Sequence, residues 1–232
     1  MDKQKKIVEM FDVIAPSYDL ANRVLSFGID IGWRKEGCKR TLERIGKNQG
    51  LKVLDVACGT GDMIAHWQTQ LQCSEFIGID PSKGMLEIAQ KKIQNCTFIE
   101  AQAQNLPLED ESMDIISIAY GLRNVCEYPL ALKEFYRVLK KGGVLLILEF
   151  MHNPNPSFFD SLGLFYTQKV LPLLGGWISK NKQAYAYLPD SIKDFASVDE
   201  LRGQLENIGF SHIFSKSYHA KISSIFVASK EK

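Results

Sequence analysis

Three nearly continuous apolar runs constrain this chain most: Val53-Leu54-Asp55-Val56-Ala57, Ile115-Ile116-Ser117-Ile118-Ala119 and Val144-Leu145-Leu146-Ile147-Leu148. A strand with one wet face alternates apolar and polar residues, whereas a strand covered on both faces reads as a solid apolar run. The strand segments are Leu51–Ala57, Glu75–Asp80, Cys96–Glu100, Met113–Tyr120 and Val144–Phe150. Between them lie Asp62–Leu71, Ser82–Gln94 and Glu127–Lys140, with the apolar spacing of helices. This alternation predicts an α/β fold, a parallel sheet with helices on both faces. Pro81-Ser82 and Lys141-Gly142-Gly143 punctuate the joins.

The flanks read differently. The first 50 residues look helical, and Asn153-Pro154-Asn155-Pro156 marks a turn after the fifth strand. The aromatic and aliphatic stretch from Phe158 to Tyr187 has no strand period and reads as helices inserted between strands five and six. Ser197–Ile208 reads as a helix, and Phe210–Ser217 with Ser223–Ser229 as a closing antiparallel pair. At 232 residues one domain is the default. Its parts are a helical lid over 1–50, a core over 51–150, an inserted cover over 151–195 and a closing helix and strands over 196–232.

Composition excludes several classes. Hydrophobic residues at 45% and charged residues at 24% are ordinary for a globular chain, not for disorder or coiled coil. A net charge of +1 gives no bulk attraction to nucleic acid. The five cysteines are widely spaced with no CxxC, so neither a disulfide framework nor a metal site is expected. Glu9 and Asp12 break the basic N-terminal stretch, which does not read as a signal peptide. No stretch of about 18 apolar residues occurs, so no transmembrane helix is expected, and the cysteines read as reduced cytoplasmic thiols.

The strongest local signal is Asp55-Val56-Ala57-Cys58-Gly59-Thr60-Gly61-Asp62, after a strand and opening a helix. Gly59 and Gly61 allow a tight turn and a close ligand approach, and the helix amides face a bound group. A dinucleotide loop wants a third glycine, where this chain has Ile64. The pattern instead resembles the first motif of S-adenosylmethionine (SAM) methyltransferases, and Asp55 suits a cationic amino-acid ligand. Asp80 ends the second strand, where a carboxylate accepts from both ribose hydroxyls. Gln102-Ala103 lies past the third strand, where an adenine would sit.

The wider pattern resembles the ubiquinone/menaquinone biosynthesis C-methyltransferase family, the demethylmenaquinone methyltransferases, over nearly the whole chain. Its marks are Tyr18-Asp19-Leu20-Ala21-Asn22, Leu25-Ser26-Phe27-Gly28, Trp33-Arg34, the glycine loop, Tyr120-Gly121-Leu122-Arg123-Asn124-Val125, Arg137-Val138-Leu139 and Leu148-Glu149-Phe150. The resemblance implies a Rossmann-like SAM-dependent methyltransferase fold, a mostly parallel seven-stranded sheet with an antiparallel last strand. It implies methylation of a ring carbon on a prenylated quinol, with SAM held at Thr60, Asp80, Gln102 and Ala103. A further family position after the fourth strand, usually small and polar, is Ala119 here. Other departures are Asp30 where the family usually has His, Lys141 for Pro, and a tail at 220–225 that lacks the family's His.

Carbon methylation needs an electron-rich ring, and ionising a quinol hydroxyl supplies it. Arg123, just past a strand end, is the candidate for stabilising the anion, with Asn124 or water relaying the proton and Tyr18 contributed by the lid. The plain alternatives are a salt bridge or solvated charge for Arg123, and packing or capping for Tyr18 and Asp19. Phe158–Tyr187 is either core or an apolar cover for an isoprenoid tail, with Lys169, Lys180 and Lys182 near a membrane surface. The expected partners are thus a lipid-tailed quinol and a peripheral contact at the inner face of the membrane, with no nucleic acid and a homodimer left open. The competing readings are an O- or N-methyltransferase of another small molecule, a nucleic-acid methyltransferase and a non-catalytic nucleotide-binding module.

Overall fold

A computed structural model of the chain describes residues 3–157, 182–218 and 223–231, and elements are numbered over those residues. Two helices come first, α1 (Lys3–Ser26) and α2 (Ile29–Ile45). Then follow β1 (Lys52–Val56), α3 (Asp62–Gln70), β2 (Glu75–Asp80), α4 (Lys83–Lys92) and β3 (Thr97–Glu100). Next are β4 (Met113–Ala119), a 3-10 turn at Leu122–Asn124, α5 (Tyr128–Val138) and β5 (Leu139–Phe150). The chain closes with α6 (Lys182–Lys193), α7 (Val198–Ile208), β6 (Phe210–Tyr218) and β7 (Ser223–Lys230). The apolar stretch 158–181 and tail residues 219–222 lie outside the described residues, so most of the expected cover, its lysines at 169 and 180 and half of the departing tail at 220–225 do too.

The strands form one seven-stranded sheet in the order β3-β2-β1-β4-β5-β7-β6. β1 to β5 pair in parallel, and β7 runs antiparallel to both β5 and β6. Helices cover both faces. Leu54, Ile116, Ile147 and Phe226 point to one side, against Leu132 and Phe135 of α5 and Leu201 and Leu205 of α7. Their strand neighbours Val53, Ile115, Leu146 and Ile225 point to the other, against Cys38 of α2, Ile64 and Trp67 of α3 and Leu86 of α4. This two-residue period within solid apolar runs is what burial on both faces produces. Each such side chain contributes about 1.5–3 kcal/mol on burial.

Local signals set the helix starts. Ser82 accepts from Met85 N at 3.2 Å and caps α4. Ser197 and Glu200 form a reciprocal capping box on α7. The expected bounds hold within a few residues, with one larger difference: β5 begins at Leu139, not Val144. Lys141-Gly142-Gly143 does not break the strand. It is absorbed by a register shift opposite Asp114, whose carboxylate takes Lys140 Nζ at 2.7 Å and Lys52 N at 3.0 Å. A bulge anchored by an ion pair costs less than a broken ladder.

Candidate functional site

β1 and β4 are neighbours, but the chain leaves them toward opposite edges of the sheet. Such a switch point opens a crevice outside the strand ends. Both strands end there in strained backbone: Ala57 has φ 50° and Tyr120 φ 60°. Left-handed conformations in residues with a Cβ cost of order 1 kcal/mol each and cluster at functional sites.

The glycine loop follows β1. Cys58 N bonds Ile79 O at 3.0 Å, tying the loop to β2. Gly59 has φ 54° with no atom within 4 Å of where a Cβ would stand, so a ligand can approach its backbone. Gly61 has φ 86°, and a Cβ there would lie 2.7 Å from Ile93 Cγ1; it fits the loop onto α4 instead.

Asp80 joins the loop to α4. Its Oδ2 accepts from Gly59 N and its Oδ1 from Ser82 N, both at 2.8 Å. Each oxygen keeps acceptor capacity for a further hydroxyl. Burial pushes its carboxyl up to about 6, against the pull of those two amides.

The cleft beside it encloses about 660 Å³ of atom-free space, part of it open solvent. Gly59, Asp80, Gln102, Ala103 and Ala119 line it, as do Tyr18 and Asn124. Ile7, Val8 and Phe11 of α1 close its side. Gln102 Oε1 accepts from Gln104 Nε2 at 2.6 Å. Small Ala103 and Ala119 leave room, and Ala119 offers no side-chain hydrogen bond.

Four candidate residues are not on that lining. Asp55 lies beneath it, where its Oδ1 accepts from Ser117 Oγ at 2.6 Å across the β1–β4 pairing. Ser117 Oγ in turn accepts from Trp67 Nε1 at 3.0 Å. Burial pushes the Asp55 carboxyl up to about 7. Thr60 donates to Asp19 Oδ1 at 2.5 Å, so its hydroxyl latches α1 to the loop. Gly61 packs on Ile93, and Arg123 stands next to the Tyr120 that lines the cleft.

Arg123 is not a solvated charge. Its Nη1 donates to Glu149 Oε1 at 2.5 Å and to Tyr120 O at 2.7 Å. Its backbone N reaches Glu149 Oε2 at 3.1 Å, and its Cζ lies 5.2 Å from the Phe150 ring centre. The salt-bridge alternative is therefore present, and Arg123 enters any chemistry as half of a buried pair. Among the described residues its Nε has no hydrogen-bond partner, nor has Asn124 Oδ1. Burial raises the Tyr18 hydroxyl pKa, opposed by an Asn22 hydrogen bond and by the charges of Arg123 and Arg34.

Sequence reasoning left several groups without a role. Glu149 is fully buried; its signal was a carboxylate inside an apolar strand. Asp12 of α1 accepts from Ser82 Oγ at 2.7 Å and Gly84 N at 2.8 Å, docking α1 on the start of α4. Gln4 donates to Asn124 O at 3.3 Å and accepts from Cys126 N at 2.9 Å. Asp30 is buried and accepts from Arg23 at 2.8 Å, Ser26 at 2.6 Å and Arg34.

The residues present fit the expected methyl donor: an open backbone at Gly59, a cleft-lining carboxylate with spare acceptor capacity at Asp80 and small side chains at Ala103 and Ala119. Comparison with known proteins agrees. A SAM-dependent methyltransferase from Thermotoga maritima superposes with a TM-score of 0.62 at 21% identity, covering 97% of this chain and 100% of that one. One from Aquifex aeolicus gives 0.58 at 18%, over 83% and 89%. At those identities the likeness is one of fold. By sequence, the chain is 52% identical to a Campylobacter jejuni ubiquinone/menaquinone biosynthesis C-methyltransferase, over 99% of this chain and 100% of the relative. It is 42% identical to a Thermus thermophilus demethylmenaquinone methyltransferase, over 87% and 91%. The ubiE/COQ5 family pattern matches residues 1–230. The switch-point cleft, the glycine loop and this end-to-end match lead to one conclusion: the chain belongs to the ubiE/COQ5 methyltransferase family.

Proposed function

We propose that the chain transfers a methyl group from SAM to a ring carbon of a prenylated quinol, converting demethylmenaquinol to menaquinol, with the benzoquinol intermediate of ubiquinone synthesis as a second acceptor. The observation that carries this is the full-length likeness to quinone-pathway C-methyltransferases. SAM, when bound, supplies an electrophilic sulfonium methyl. The protein's own residues must hold it, bring the ring carbon in line and stabilise the ring anion.

Asp80 is the ribose acceptor, Gly59 the close backbone approach, and Gln102 and Ala103 flank the adenine. Thr60 acts through Asp19, by fixing α1 over the loop. A phenol of pKa near 10 is ionised only about once in a thousand at neutral pH, a deficit of roughly 4 kcal/mol. Because Glu149 neutralises Arg123, the free Nε–H offers one charge-assisted hydrogen bond, worth roughly 1.5–3 kcal/mol. Arg123 therefore supplies part of the stabilisation and not all. Asn124 Oδ1, bare among the described residues, accepts a hydrogen bond from the quinol hydroxyl, and water takes the proton. With SAM bound, the chain's part would be to hold the ring carbon in line with the sulfonium methyl, and water would take the ring proton that is released as aromaticity returns.

A lipid-tailed acceptor favours a peripheral membrane contact. No described helix is long and apolar enough to cross a membrane. Val13, Leu20 and Val24 are 67%, 63% and 45% exposed, and their spacing puts them on one face of α1. That face is the proposed contact.

The test uses labelled SAM with demethylmenaquinol and its benzoquinol counterpart, each reduced and oxidised, read by mass spectrometry. Transfer to a ring carbon of the reduced form alone is expected. Transfer to oxygen, or to neither ring, overturns the substrate assignment.

A further inference from the structure

Arg123 alone falls short of what a quinol anion needs, and a second buried guanidinium stands at the same aromatic cluster. Arg34 of α2 is buried and pairs through Nη1 with buried Asp30. Its Cζ lies 5.3 Å from the centre of the Tyr120 ring. Tyr120 packs on Phe150 with centroids 4.7 Å apart, and Arg123 Cζ lies 5.2 Å from the Phe150 centre. The two ends repeat one arrangement: a guanidinium, a buried carboxylate holding its Nη1, an aromatic face and a bare Nε.

Both Nε atoms are buried and have no hydrogen-bond partner among the described residues. Among the described residues only five buried side-chain polar atoms are in that state, and three belong to Arg34, Arg123 and Asn124. All three residues touch Tyr120: Arg34 through its ring, Arg123 and Asn124 through its carbonyl. Buried donors are almost always satisfied, so a cluster left bare calls for a missing partner. A purely structural Arg34 would be served by Asp30 and the Tyr120 face, with no reason to strand Nε.

A quinol carries two oxygens para to one another. Arg123 serves the hydroxyl ortho to the methylated carbon. Resting on the quinol reading above, we propose that Arg34 is a substrate-binding residue that donates its free Nε–H to the other quinol oxygen. It thereby selects rings oxygenated at both para positions over simple phenols.

The experiment compares kcat/KM on demethylmenaquinol and on the prenylated naphthol that keeps only the hydroxyl ortho to the methylated carbon. Wild type should prefer the quinol by about 10–100-fold, the usual worth of one charge-assisted bond. Arg34→Gln should lower kcat/KM for the quinol by about that factor, mainly through KM, and leave the naphthol within about threefold. Arg34→Lys should recover part of the preference, and SAM affinity by calorimetry should not change. Equal losses on both acceptors would make Arg34 structural and overturn the assignment, as would an unchanged quinol rate. If Arg34→Gln does not fold, the wild-type preference decides: a protein indifferent to the second oxygen has no such contact. Wild type that binds SAM but methylates neither ring overturns the quinol reading itself, and the Arg34 assignment with it.

Discussion

Glu149 receives Arg123 twice, from its backbone amide at 3.1 Å and from its guanidinium at 2.5 Å. One fully buried carboxylate thus fixes both where the turn after β4 begins and where its cation points. Glu149→Gln keeps an acceptor oxygen and removes the charge. Leaving a buried cation unpaired costs about 3–5 kcal/mol, so the melting temperature should fall by roughly 6–20 °C. The uncompensated guanidinium then stabilises the quinol anion more strongly, and the acid limb of kcat/KM should move down by about one pH unit. An acid limb that stays put or rises would separate Arg123 from the ionisation. Full turnover in both Arg123→Lys and Arg123→Ala would remove Arg123 from the chemistry altogether.

Asp80 should make SAM affinity depend on pH. Its carboxyl titrates near 6 in the free protein, and only the anion accepts from both ribose hydroxyls. Binding should therefore weaken as pH falls through about 6 and level off above 7. Calorimetry at pH 5 and 8 reads this directly. Asp80→Ala should weaken SAM at least about tenfold, and Asp80→Asn should flatten the pH dependence. A wild-type affinity that is flat from pH 5 to 8 would mean that the ribose is held elsewhere.

Stability should carry the opposite mark of buried Asp55. Its carboxyl titrates near 7 in the fold, raised by burial from an ordinary 3.8. Between those values the folded chain holds a proton that the unfolded chain has lost. Stability therefore falls as pH rises through that window, by up to about 1.4 kcal/mol per pH unit. Asp80 adds the same sign over a narrower range. The ion-paired carboxyls of Asp62 and Asp114 are held below their usual value and act only at more acid pH. Asp55→Asn keeps an acceptor for Ser117 and should lose less stability between pH 5 and 8 than wild type, measured by urea unfolding. An identical loss in both proteins would put the titration elsewhere.

The α1 face should be separable from the cleft. Leu20→Glu with Val24→Glu places charge on an exposed surface that does not line the site. Co-sedimentation with anionic lipid vesicles should drop about tenfold or more, while SAM affinity stays within about twofold, since each charge forfeits apolar burial of order 1 kcal/mol. Undiminished vesicle binding would remove α1 as the contact.

The sheet was legible because burial on both faces writes itself into short apolar runs such as 144–148. The glycine loop and Asp80 were legible because a turn followed by a helix start fixes where they must lie. Glu149 was passed over although it is a carboxylate inside an apolar strand, and its partner leaves no local signal, since 26 residues separate it from Arg123. The docking of Asp12 on Ser82 spans 70 positions and leaves no local pattern at all. Nor does any periodicity tell that Asp55 turns under the cleft; that follows from its pairing opposite Ser117. The early start of β5 escaped notice because paired glycines read as a break unless the opposing bulge is known.

The polar ties of α1 have a practical consequence. Gln4, Asp12 and Asp19 reach, in turn, the turn after β4, the start of α4 and the glycine loop. The leading residues are thus hardware of the cofactor cleft, not packaging around it. Trimming a dozen residues from the front to improve crystals would unfasten two of these ties and strip one wall. A bulky affinity tag fused directly ahead of Gln4 would strain the same joints. Preparations of that kind would show weakened SAM binding that owes nothing to the chemistry of the site.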